Sequence, residues 1–411
     1  MNNLFVLGGK ELHGNITIDG AKNSMVALIP AMLLVNGFIV LENIPDILDL
    51  KWCLDICEEL KLDIVFDGRR VKAAIHEIDP VISSKSATKY RGSYYFMGAL
   101  LSRYKEVMIG YPGGCNIGKR PIDYHIEGFK KLGANVEELE EGIRITAKNL
   151  IGTTIELPKK SVGATINIVL ASTYAKGRTI IKNASIEPEV DDVINFLCKL
   201  GFNVYRISDS IYINGKESIL ESNIIYRIIP DRIEAMTYIT LGLLLGEIRV
   251  YKADYHTLRK PLYELCKAGA LIEINDEYIE AKKSHLDFLD IESGEYPLFP
   301  TDMTQLFSIL MIKNSGGIIV ERIFENRFKS LEELRKMNAN IEISGNKAII
   351  RCGNLESGFV KGTDLRGTAS LVLAALCAKG ESVVYNMEYL KRGYSRFFEK
   401  IRSLGADIYL S

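Results

Sequence analysis

A sixfold internal repeat constrains the fold of this chain more than any other feature of its sequence. Five copies contain a helix-ending turn before a short β-type run, and the turn residues are spaced 68, 68, 69 and 67 residues apart. These turn residues are Gly133, Gly201, Gly269, Asn338 and Gly405. A residue in the left-handed conformation closes a helix C-terminus, and Gly or Asn adopts that conformation most readily. With residues 58–64 as a degenerate first copy, six units account for all 411 residues. The pattern therefore predicts an array of α/β units rather than one doubly wound sheet.

Each unit also contains a second helix with a polar start and an apolar body. The six starts are residues 20–23, 90–92, 161–164, 230–232, 301–303 and 363–366. Apolar runs follow them, for example 25–34 and 371–378. Helices that are apolar on most sides are buried, so we expect one inner helix in each unit.

The order of the units predicts two domains. The last unit ends one strand short of the others, and residues 4–7 form a strand with no helix before them. We expect this N-terminal strand to complete the last unit. One domain then spans residues 21–229, and the other combines residues 1–20 with 230–411. The predicted fold class is α/β, with two similar domains, each of three repeated α/β units around buried helices.

Several cations stand at the polar helix starts or in turns. Lys22, Arg91 and Arg366 lie at helix starts, where a cation opposes the helix dipole, so they indicate an anionic ligand. Arg120, Arg327 and Arg392 lie in turns or polar loops. Arginine binds carboxylate or phosphate with a two-pronged contact. The set predicts ligands with carboxylate, phosphate and diphosphate groups, bound where the helix starts converge. The alternative is that polar residues at these starts only cap the helices, and we apply it to Asp231.

A glycine-rich loop over residues 111–120 contains Cys115 between glycines on both sides. Three glycines and Pro112 exclude regular helix or strand and favour an adaptable surface loop. Lys119 and Arg120 would attract an anionic substrate to an accessible thiol. The alternative is a buried core cysteine. The other six cysteines fall in apolar patterns, and we expect them to be shielded: Cys53, Cys57, Cys198, Cys266, Cys352 and Cys377.

Composition excludes several classes of protein. The net charge is −1 and no basic tract is present, which argues against nucleic-acid or anionic-membrane partners. The apolar runs are shorter than the roughly 20 residues that span a bilayer, and the N-terminus does not resemble a signal peptide. Seven cysteines without a Cys-x-x-Cys pair argue against a disulfide framework or a zinc site. We expect a cytoplasmic protein that needs neither metal nor cofactor, and the sequence predicts no oligomeric state.

At the Cys115 loop the chain resembles the UDP-N-acetylglucosamine enolpyruvyl transferases, also called 1-carboxyvinyltransferases. Pro-Gly-Gly-Cys followed by the pair Arg120-Pro121 is the active-site loop of that family, and the resemblance extends from residues 8–9 to 404–406. Tyr94 and Tyr95 are similar to the second paralogous form of low-GC Gram-positive bacteria. The resemblance implies an inside-out α/β barrel and inhibition by fosfomycin. It also implies transfer of the enolpyruvyl group of phosphoenolpyruvate to the 3′-hydroxyl of UDP-N-acetylglucosamine. Phosphate is released, and this is the first committed step of peptidoglycan precursor synthesis.

The resemblance also implies roles for individual residues. The catalytic residues would be Cys115, Asp302, Lys22, Asp364 and Arg392. Phosphoenolpyruvate would be bound by Lys22, Asn23, Arg120, Arg366 and Arg392. UDP-N-acetylglucosamine would be bound by Arg91, Arg120, Pro121, Ile122, Asp123, Tyr124, Lys159, Ser161, Val162, Gly163, Asp302, Ile323 and Arg327. Cys115 would protonate C3 of phosphoenolpyruvate, Asp302 would accept the proton of the sugar hydroxyl, and domain closure would exclude water. Tyr124 departs from the family's uracil-binding segment.

Three alternatives stay open. One is a sister transferase acting on shikimate phosphate, although that group does not share the Cys115 loop. Another is an enolpyruvyl transferase acting on a different uridine nucleotide. The third is a non-catalytic paralogue that binds UDP-sugar and regulates wall synthesis, against which the presence of Cys115, Asp302 and Asp364 argues.

Overall fold

The structure is a computed structural model that describes residues 3–113 and 122–411. The strands within these ranges are β1 (Leu4–Gly8), β2 (Leu12–Thr17), β3 (Val35–Glu42), β4 (Asp63–Phe66), β5 (Arg70–Ile75), β6 (Val81–Ile82), β7 (Glu106–Ile109), β8 (Asn135–Leu139), β9 (Gly142–Thr146), β10 (Thr154–Glu156), β11 (Arg178–Lys182), β12 (Asn203–Ile207), β13 (Ser210–Asn214), β14 (Leu220–Glu221), β15 (Ile224–Arg227), β16 (Gly246–Tyr251), β17 (Leu271–Ile274), β18 (Tyr278–Lys282), β19 (Leu289–Glu292), β20 (Gly317–Val320), β21 (Ile341–Ser344), β22 (Lys347–Ile350), β23 (Phe359–Lys361), β24 (Gly380–Tyr385) and β25 (Asp407–Leu410).

The helices of the same ranges are α-helices with four short 3₁₀ segments between them. The α-helices are α1 (Lys22–Met32), α2 (Leu48–Glu59), α3 (Ser84–Ala87), α4 (Tyr95–Tyr104), α5 (Asp123–Lys131), α6 (Val162–Ser172), α7 (Pro188–Leu200), α8 (Arg232–Leu245), α9 (Arg259–Lys267), α10 (Thr304–Lys313), α11 (Lys329–Arg335), α12 (Leu365–Cys377) and α13 (Phe397–Ser403). The 3₁₀ segments are Arg91–Tyr94, Tyr255–Leu258, Thr301–Met303 and Leu390–Arg392.

The described residues form two compact units. Residues 20–113 and 122–229 make up the first, which we call the Lys22 unit. Residues 3–19 and 230–411 make up the second, which we call the Asp302 unit. The assignment of different substrate groups to the two units stays a prediction.

Each unit contains three small sheets and three buried helices. The sheets of the Lys22 unit run β14-β3-β5-β4 with β15 also on β3, β6-β7-β9-β8, and β10-β11-β13-β12. The sheets of the Asp302 unit run β17-β18-β16-β2, β19-β20-β22-β21, and β23-β24-β1-β25. Parallel and antiparallel pairs occur together in every sheet, as repeated β-α-β-α-β-β units require. The inner helices are α1, α4 and α6 in one unit and α8, α10 and α12 in the other, and their residues are buried on nearly all sides. The predicted fold class is confirmed.

The turns that close the outer helices have the predicted conformation. The φ angles of the five turn residues are 95° at Gly133, 104° at Gly201, 92° at Gly269, 65° at Asn338 and 101° at Gly405. In the degenerate first copy Lys61 adopts a φ of 60° at the equivalent place, after α2. A non-glycine residue in this region costs conformational free energy, so the geometry of the repeat is retained even where its glycine is lost.

The N-terminal strand completes the last unit, as predicted. β1 lies between β24 and β25 and pairs antiparallel with both, so that Leu4 faces Val384 on one side and Leu410 on the other. The backbone N–H of Asn3 also donates to the carbonyl of Ser411 at 3.3 Å, and the reverse bond is 3.1 Å long. The two ends of the described chain are therefore held in one sheet.

A buried ion cluster in the Asp302 unit ties the segment after β2 to α8 and α13. Lys400 Nζ lies 2.8 Å from Asp19 Oδ2 and 2.5 Å from Glu234 Oε1, while Glu234 Oε2 accepts the backbone N–H of Asp19 at 3.0 Å. Glu234 is only 2% exposed. Burial raises the pKa of Glu234 to about 7, although Lys400 acts in the opposite direction. The cluster therefore has a carboxyl group that titrates near neutral pH.

We expect Glu234 to make the protein less stable as the pH rises from 5 to 8. A carboxyl with a folded pKa of about 7 and an unfolded value near 4.5 binds more protons when folded, so the free energy of unfolding falls through this window. The shift corresponds to at most about 3 kcal/mol. Thermal unfolding of the wild type should therefore show a larger fall in Tm between pH 5 and pH 8 than Glu234→Gln. An equal pH dependence in both proteins would mean that Lys400 keeps Glu234 ionised throughout.

Candidate active site

The Asp302 carboxylate lies between two buried arginines of the Asp302 unit. Asp302 is in the 3₁₀ segment Thr301–Met303, directly before the inner helix α10. Arg327 Nη2 donates to Asp302 Oδ1 at 2.5 Å, and Arg366 Nε lies 3.9 Å from Oδ2. The side chain of Asp302 is 32% exposed, whereas those of Arg327 and Arg366 are 3% and 4% exposed. The carboxylate is therefore oriented by buried cations and stays accessible to a ligand.

Arg327 is fixed by the protein itself. Its Nε and Nη2 donate to the carbonyl of Thr301 at 3.3 and 3.2 Å, and its Nη1 lies 3.8 Å from Asp364 Oδ1. Its own carbonyl accepts from Gln305 Nε2 at 3.3 Å. The guanidinium thus holds Asp302 in place, and its predicted contact with the sugar nucleotide stays a prediction.

Glu321 supports the same segment and is not among the sequence-predicted residues. Its Oε2 accepts the Thr301 hydroxyl at 2.7 Å, and its Oε1 accepts the backbone N–H groups of Ile323 and Phe324 at 2.7 and 3.1 Å. Glu321 is 3% exposed. The N–H of Ile323, a predicted backbone contact for the sugar nucleotide, is therefore occupied by this carboxylate.

Arg366 is the cation that most directly indicates an anionic ligand. Asp364 caps α12 by accepting the backbone N–H groups of Arg366 and Gly367, both at 3.0 Å. Arg366 is 3% exposed, and within residues 3–113 and 122–411 neither its Nε nor its Nη1 donates a hydrogen bond. Burial acts to lower the pKa of Arg366, but Tyr394 and the carboxylates of Asp231 and Asp302 outweigh it and raise this pKa above its usual value. A buried cation with unused donors is costly unless a ligand accepts from them.

Lys22 has a protein carboxylate beside it in the Lys22 unit. Lys22 is the first residue of α1, and its Nζ lies 3.0 Å from Oδ2 of Asp49, in the first turn of α2. The Lys22 side chain is 15% exposed and that of Asp49 is 3% exposed. The expectation that Lys22 depends on an external anion is therefore corrected, because Asp49 offsets its charge. Asp49 is not among the sequence-predicted residues, since only the fold shows that the two helix starts meet.

Arg91 and the start of α6, both predicted to bind UDP-N-acetylglucosamine, lie in the Lys22 unit. Its guanidinium carbon lies 5.4 Å from the centroid of the Tyr94 ring, which packs edge-on against His125 at 4.7 Å. A Cβ at Gly163 would lie 2.7 Å from the Tyr94 hydroxyl oxygen, so only glycine lets the start of α6 approach this ring. Asn167 bridges His125 Nδ1 at 2.9 Å and the Tyr94 carbonyl at 2.8 Å. Arg91 and Gly163, at the start of α6, thus both lie beside the Tyr94 side chain.

The His125 imidazole is neutral at physiological pH. It is fully buried, and burial together with the nearby positive charge of Arg91 lowers its pKa to about 3. His125 belongs to α5, whose first two residues are the predicted uracil contacts Asp123 and Tyr124. The neutral imidazole therefore serves as a packing and hydrogen-bonding group that fixes α5 against the Arg91 group.

The other predicted residues are placed as follows. Ser161 caps α6 by accepting the N–H of Ala164 at 3.3 Å, and Val162 begins the helix. Asn23 is the second residue of α1, Ile122 precedes α5, Lys159 is exposed, and Arg392 ends the 3₁₀ segment Leu390–Arg392. Cys115, Arg120 and Pro121 lie outside the described residues.

Three cysteines that were expected to be shielded are exposed. Cys53, Cys57 and Cys377 are buried as predicted, but Cys198, Cys266 and Cys352 are exposed. Cys198 illustrates the reason: it follows the buried Phe196 and Leu197 on α7 but lies on the outer side of that helix. An apolar neighbourhood along the chain does not fix the side of a helix on which a residue lies.

Membrane-spanning helices and metal-binding clusters are absent from residues 3–113 and 122–411. No helix there is long and apolar enough to cross a membrane. No group of three or more His, Cys, Asp or Glu side chains suited to a metal ion occurs among the residues placed by the structure.

Comparison with known proteins gives consistent results. Residues 6–401 match the family described as EPSP synthase (3-phosphoshikimate 1-carboxyvinyltransferase). The chain is 40% identical to UDP-N-acetylglucosamine 1-carboxyvinyltransferase 2 of Staphylococcus aureus strain Mu50, covering 98% of this chain and 97% of the relative. It is 41% identical to the protein of the same name from Bacillus cereus strain ZK, covering 100% and 96%.

Solved structures share the fold at lower sequence identity. The crystal structure of the enolpyruvyl transferase NikO from Streptomyces tendae matches with a TM-score of 0.91 at 22% identity, covering 100% of this chain and 99% of that one. EPSP synthase from Acinetobacter baumannii matches with a TM-score of 0.77 at 16% identity and complete coverage of both chains. At these identities the matches establish the fold alone.

Proposed function

The chain belongs to the UDP-N-acetylglucosamine 1-carboxyvinyltransferases within the EPSP synthase family, and we propose that it transfers the enolpyruvyl group of phosphoenolpyruvate to UDP-N-acetylglucosamine. The acceptor is the 3′-hydroxyl of the sugar, and inorganic phosphate is released. The product is a precursor of peptidoglycan. We place the reaction in the cytoplasm, where phosphoenolpyruvate is made.

One observation in the structure supports this proposal most strongly. Asp302 is an accessible carboxylate beside Arg366, a buried guanidinium with two donor atoms that have no partner among the residues the structure describes. A base next to an anion-binding cation suits a reaction in which an alcohol attacks an anionic substrate. The fixed positive charge also favours the tetrahedral intermediate, because preorganised charges need no rearrangement during the reaction.

We assign proton removal to Asp302. As the 3′-oxygen forms its bond to C2 of phosphoenolpyruvate, Asp302 accepts the hydroxyl proton. Arg327 holds the carboxylate through the 2.5 Å bond, and the carbonyl of Thr301 holds Arg327. Asp364 contributes by capping α12 and by its position 3.8 Å from Arg327.

We assign proton donation to Cys115. An ordinary thiol, with a pKa of about 8.5, is protonated at neutral pH and can supply the proton that C3 of phosphoenolpyruvate takes up during the attack. The phosphate then leaves with the proton held by Asp302, the Cys115 thiolate takes back one C3 proton, and the enol ether of the product forms. Lys22, Asn23, Arg120, Arg366 and Arg392 are the proposed contacts of the phosphate and carboxylate groups.

We assign the sugar nucleotide mainly to residues of the Lys22 unit. Arg91 and the start of α6 at Ser161–Gly163 suit a diphosphate, because free backbone N–H groups at a helix start attract anions. Pro121, Ile122, Asp123 and Tyr124 are the proposed uridine contacts, and Lys159 adds charge near the diphosphate. Asp302, Ile323 and Arg327 are the proposed sugar contacts, and Arg120 and Arg91 serve both substrates.

Phosphate release decides between the proposed reaction and its alternatives. We expect release only when phosphoenolpyruvate and UDP-N-acetylglucosamine are both present, and none when either is omitted. Binding of UDP-N-acetylglucosamine without release would favour the regulatory paralogue. Release with another uridine nucleotide, or with shikimate 3-phosphate in place of UDP-N-acetylglucosamine, would favour a different transferase.

We expect Asp49→Asn to lower kcat/KM for phosphoenolpyruvate about tenfold. The substitution removes the carboxylate that holds Lys22 Nζ at 3.0 Å and leaves the lysine less well oriented. Removing one partner of a positioned charge pair typically lowers binding by at least this factor. Steady-state phosphate release measures kcat/KM for phosphoenolpyruvate in the variant. Asp55→Asn is the matched control, since Asp55 lies on the same helix and pairs with Lys89 at 2.7 Å. Equal effects of the two substitutions would remove Asp49 from the site.

A further inference from the structure

We infer that Tyr394 is a positioning residue that holds the Arg366 guanidinium ready for the phosphoenolpyruvate anion. The inference rests on the proposed function, and it concerns a residue that neither the sequence pattern nor the comparisons assign. Tyr394 follows the turn that contains Arg392 and Gly393 and is 3% exposed.

The aromatic ring of Tyr394 contacts the buried cation directly. The guanidinium carbon of Arg366 lies 5.2 Å from the centroid of the Tyr394 ring, within the range of a cation–π interaction. The ring itself is held by Phe397, whose centroid lies 5.3 Å away at an angle of 64°. Gly393 allows this approach, because a Cβ there would lie 2.5 Å from the Leu365 side chain at the start of α12. The turn and the helix start are therefore packed as one body.

The hydroxyl of Tyr394 has a defined direction. It lies 2.8 Å from the hydroxyl of Thr237 on α8, and Thr237 donates its single hydrogen to the carbonyl of Ile233 at 2.9 Å. Tyr394 must then donate to Thr237, so its own hydrogen points towards α8. Burial raises the pKa of Tyr394, which keeps the phenol neutral. The cation thus meets the electron-rich face of a neutral ring.

The neutral ring of Tyr394 leaves the positive charge of Arg366 available for an anionic substrate, which a second carboxylate beside the guanidinium would not do. A carboxylate at hydrogen-bonding distance would offset the charge that the substrate has to meet. Asp302 comes no closer than 3.9 Å to Arg366 Nε in the ion pair between them. The ring orients the guanidinium without neutralising it. Within the described residues Nε and Nη1 have no acceptor, so both can donate to a ligand's oxygen atoms. Tyr394 therefore acts on substrate binding through Arg366.

Four variants test this role by phosphate release and by binding. Tyr394→Leu removes the ring, and we expect kcat/KM for phosphoenolpyruvate to fall about 30-fold, mostly through KM, as loss of a desolvated cation–π contact predicts. Affinity for UDP-N-acetylglucosamine, measured by calorimetry, should stay at the wild-type value. Tyr394→Phe keeps the ring and should lose less than Tyr394→Leu. Thr237→Val removes only the acceptor of the hydroxyl and should resemble Tyr394→Phe.

The matched control is Tyr238→Leu. Tyr238 is a second fully buried tyrosine of the same unit, and its ring also packs against Phe397, at 6.3 Å. If Tyr394→Leu and Tyr238→Leu raise the KM for phosphoenolpyruvate equally, or if neither raises it, the inference is overturned. If Tyr394→Leu fails to fold, Tyr394→Met takes its place, because it also removes the ring but keeps more of the volume: a raised KM with unchanged UDP-N-acetylglucosamine affinity supports the role, and an unchanged KM refutes it. An inactive wild-type protein would instead contradict the proposed function.

Discussion

Asp302→Asn should lower turnover by about 10²–10⁴-fold, the usual contribution of a positioned proton acceptor. The amide keeps the size of the side chain and can still accept a hydrogen bond from Arg327, so the protein should fold and bind UDP-N-acetylglucosamine as the wild type does. It cannot accept the proton of the sugar hydroxyl. Removing one negative charge beside Arg366 should also leave the affinity for phosphoenolpyruvate equal to or above that of the wild type.

Single-turnover phosphate release, with KM measured separately for each substrate, distinguishes loss of the base from loss of binding. Asp290→Asn is the control, because Asp290 is an exposed aspartate on β19 of the same unit. Retention of more than about a tenth of the wild-type turnover would be too much for an enzyme that has lost its base. In that case the role of Asp302 would be restricted to orienting Arg327 and Arg366.

Fosfomycin should modify Cys115 alone among the seven cysteines, and faster when UDP-N-acetylglucosamine is bound. The drug carries a phosphonate, so Lys119 and Arg120 would draw it to the neighbouring thiol. Peptide mapping by mass spectrometry after brief exposure identifies the modified residue, and activity should be lost in proportion to labelling. Acceleration is expected if the glycine loop brings the thiol to a drug molecule already held beside the nucleotide.

Three other cysteines are exposed and could also react with the drug. Cys198, Cys266 and Cys352 are accessible, so selectivity for Cys115 has to come from local charge rather than from shielding of the others. Partial burial of the thiol raises the pKa of Cys266, which favours its unreactive protonated form. The Cys198 thiol donates to the carbonyl of Val204 at 3.0 Å. Cys115→Ser is the control and should abolish labelling. Labelling of another cysteine, or slower labelling with the sugar nucleotide, would contradict a loop that closes over the substrates.

The fold could be predicted from the sequence because its periodic features are local. A left-handed turn such as that of Gly133 depends on its own few residues, and the same turn at a fixed spacing reveals the repeat without any long-range information. Burial of the inner helices follows equally from the apolar character of runs such as α12. The degenerate turn at Lys61 is the exception, since lysine there does not indicate a positive φ.

The supporting side chains of the candidate site could not be predicted, because their partners are distant in the chain. Asp49 meets Lys22 from another helix, Glu321 binds the Thr301 hydroxyl from another segment, and Tyr394 contacts Arg366 from a turn 28 residues away. None of the three belongs to a recognisable motif. Each is defined by a geometry that only the folded chain creates.

The position of β1 has a consequence for folding during synthesis. Its two neighbours in the sheet, β24 and β25, are made about 400 residues later. At about 5–20 residues per second, β1 waits unpaired for about 20–80 s on the ribosome. The described residues of the Lys22 unit, 20–113 and 122–229, by contrast all precede residue 230 and can fold while the rest is still being made. We therefore expect the Lys22 unit to resist proteases once residues 20–229 of a nascent chain have left the ribosome, and the Asp302 unit to depend on chaperones until β24 and β25 emerge.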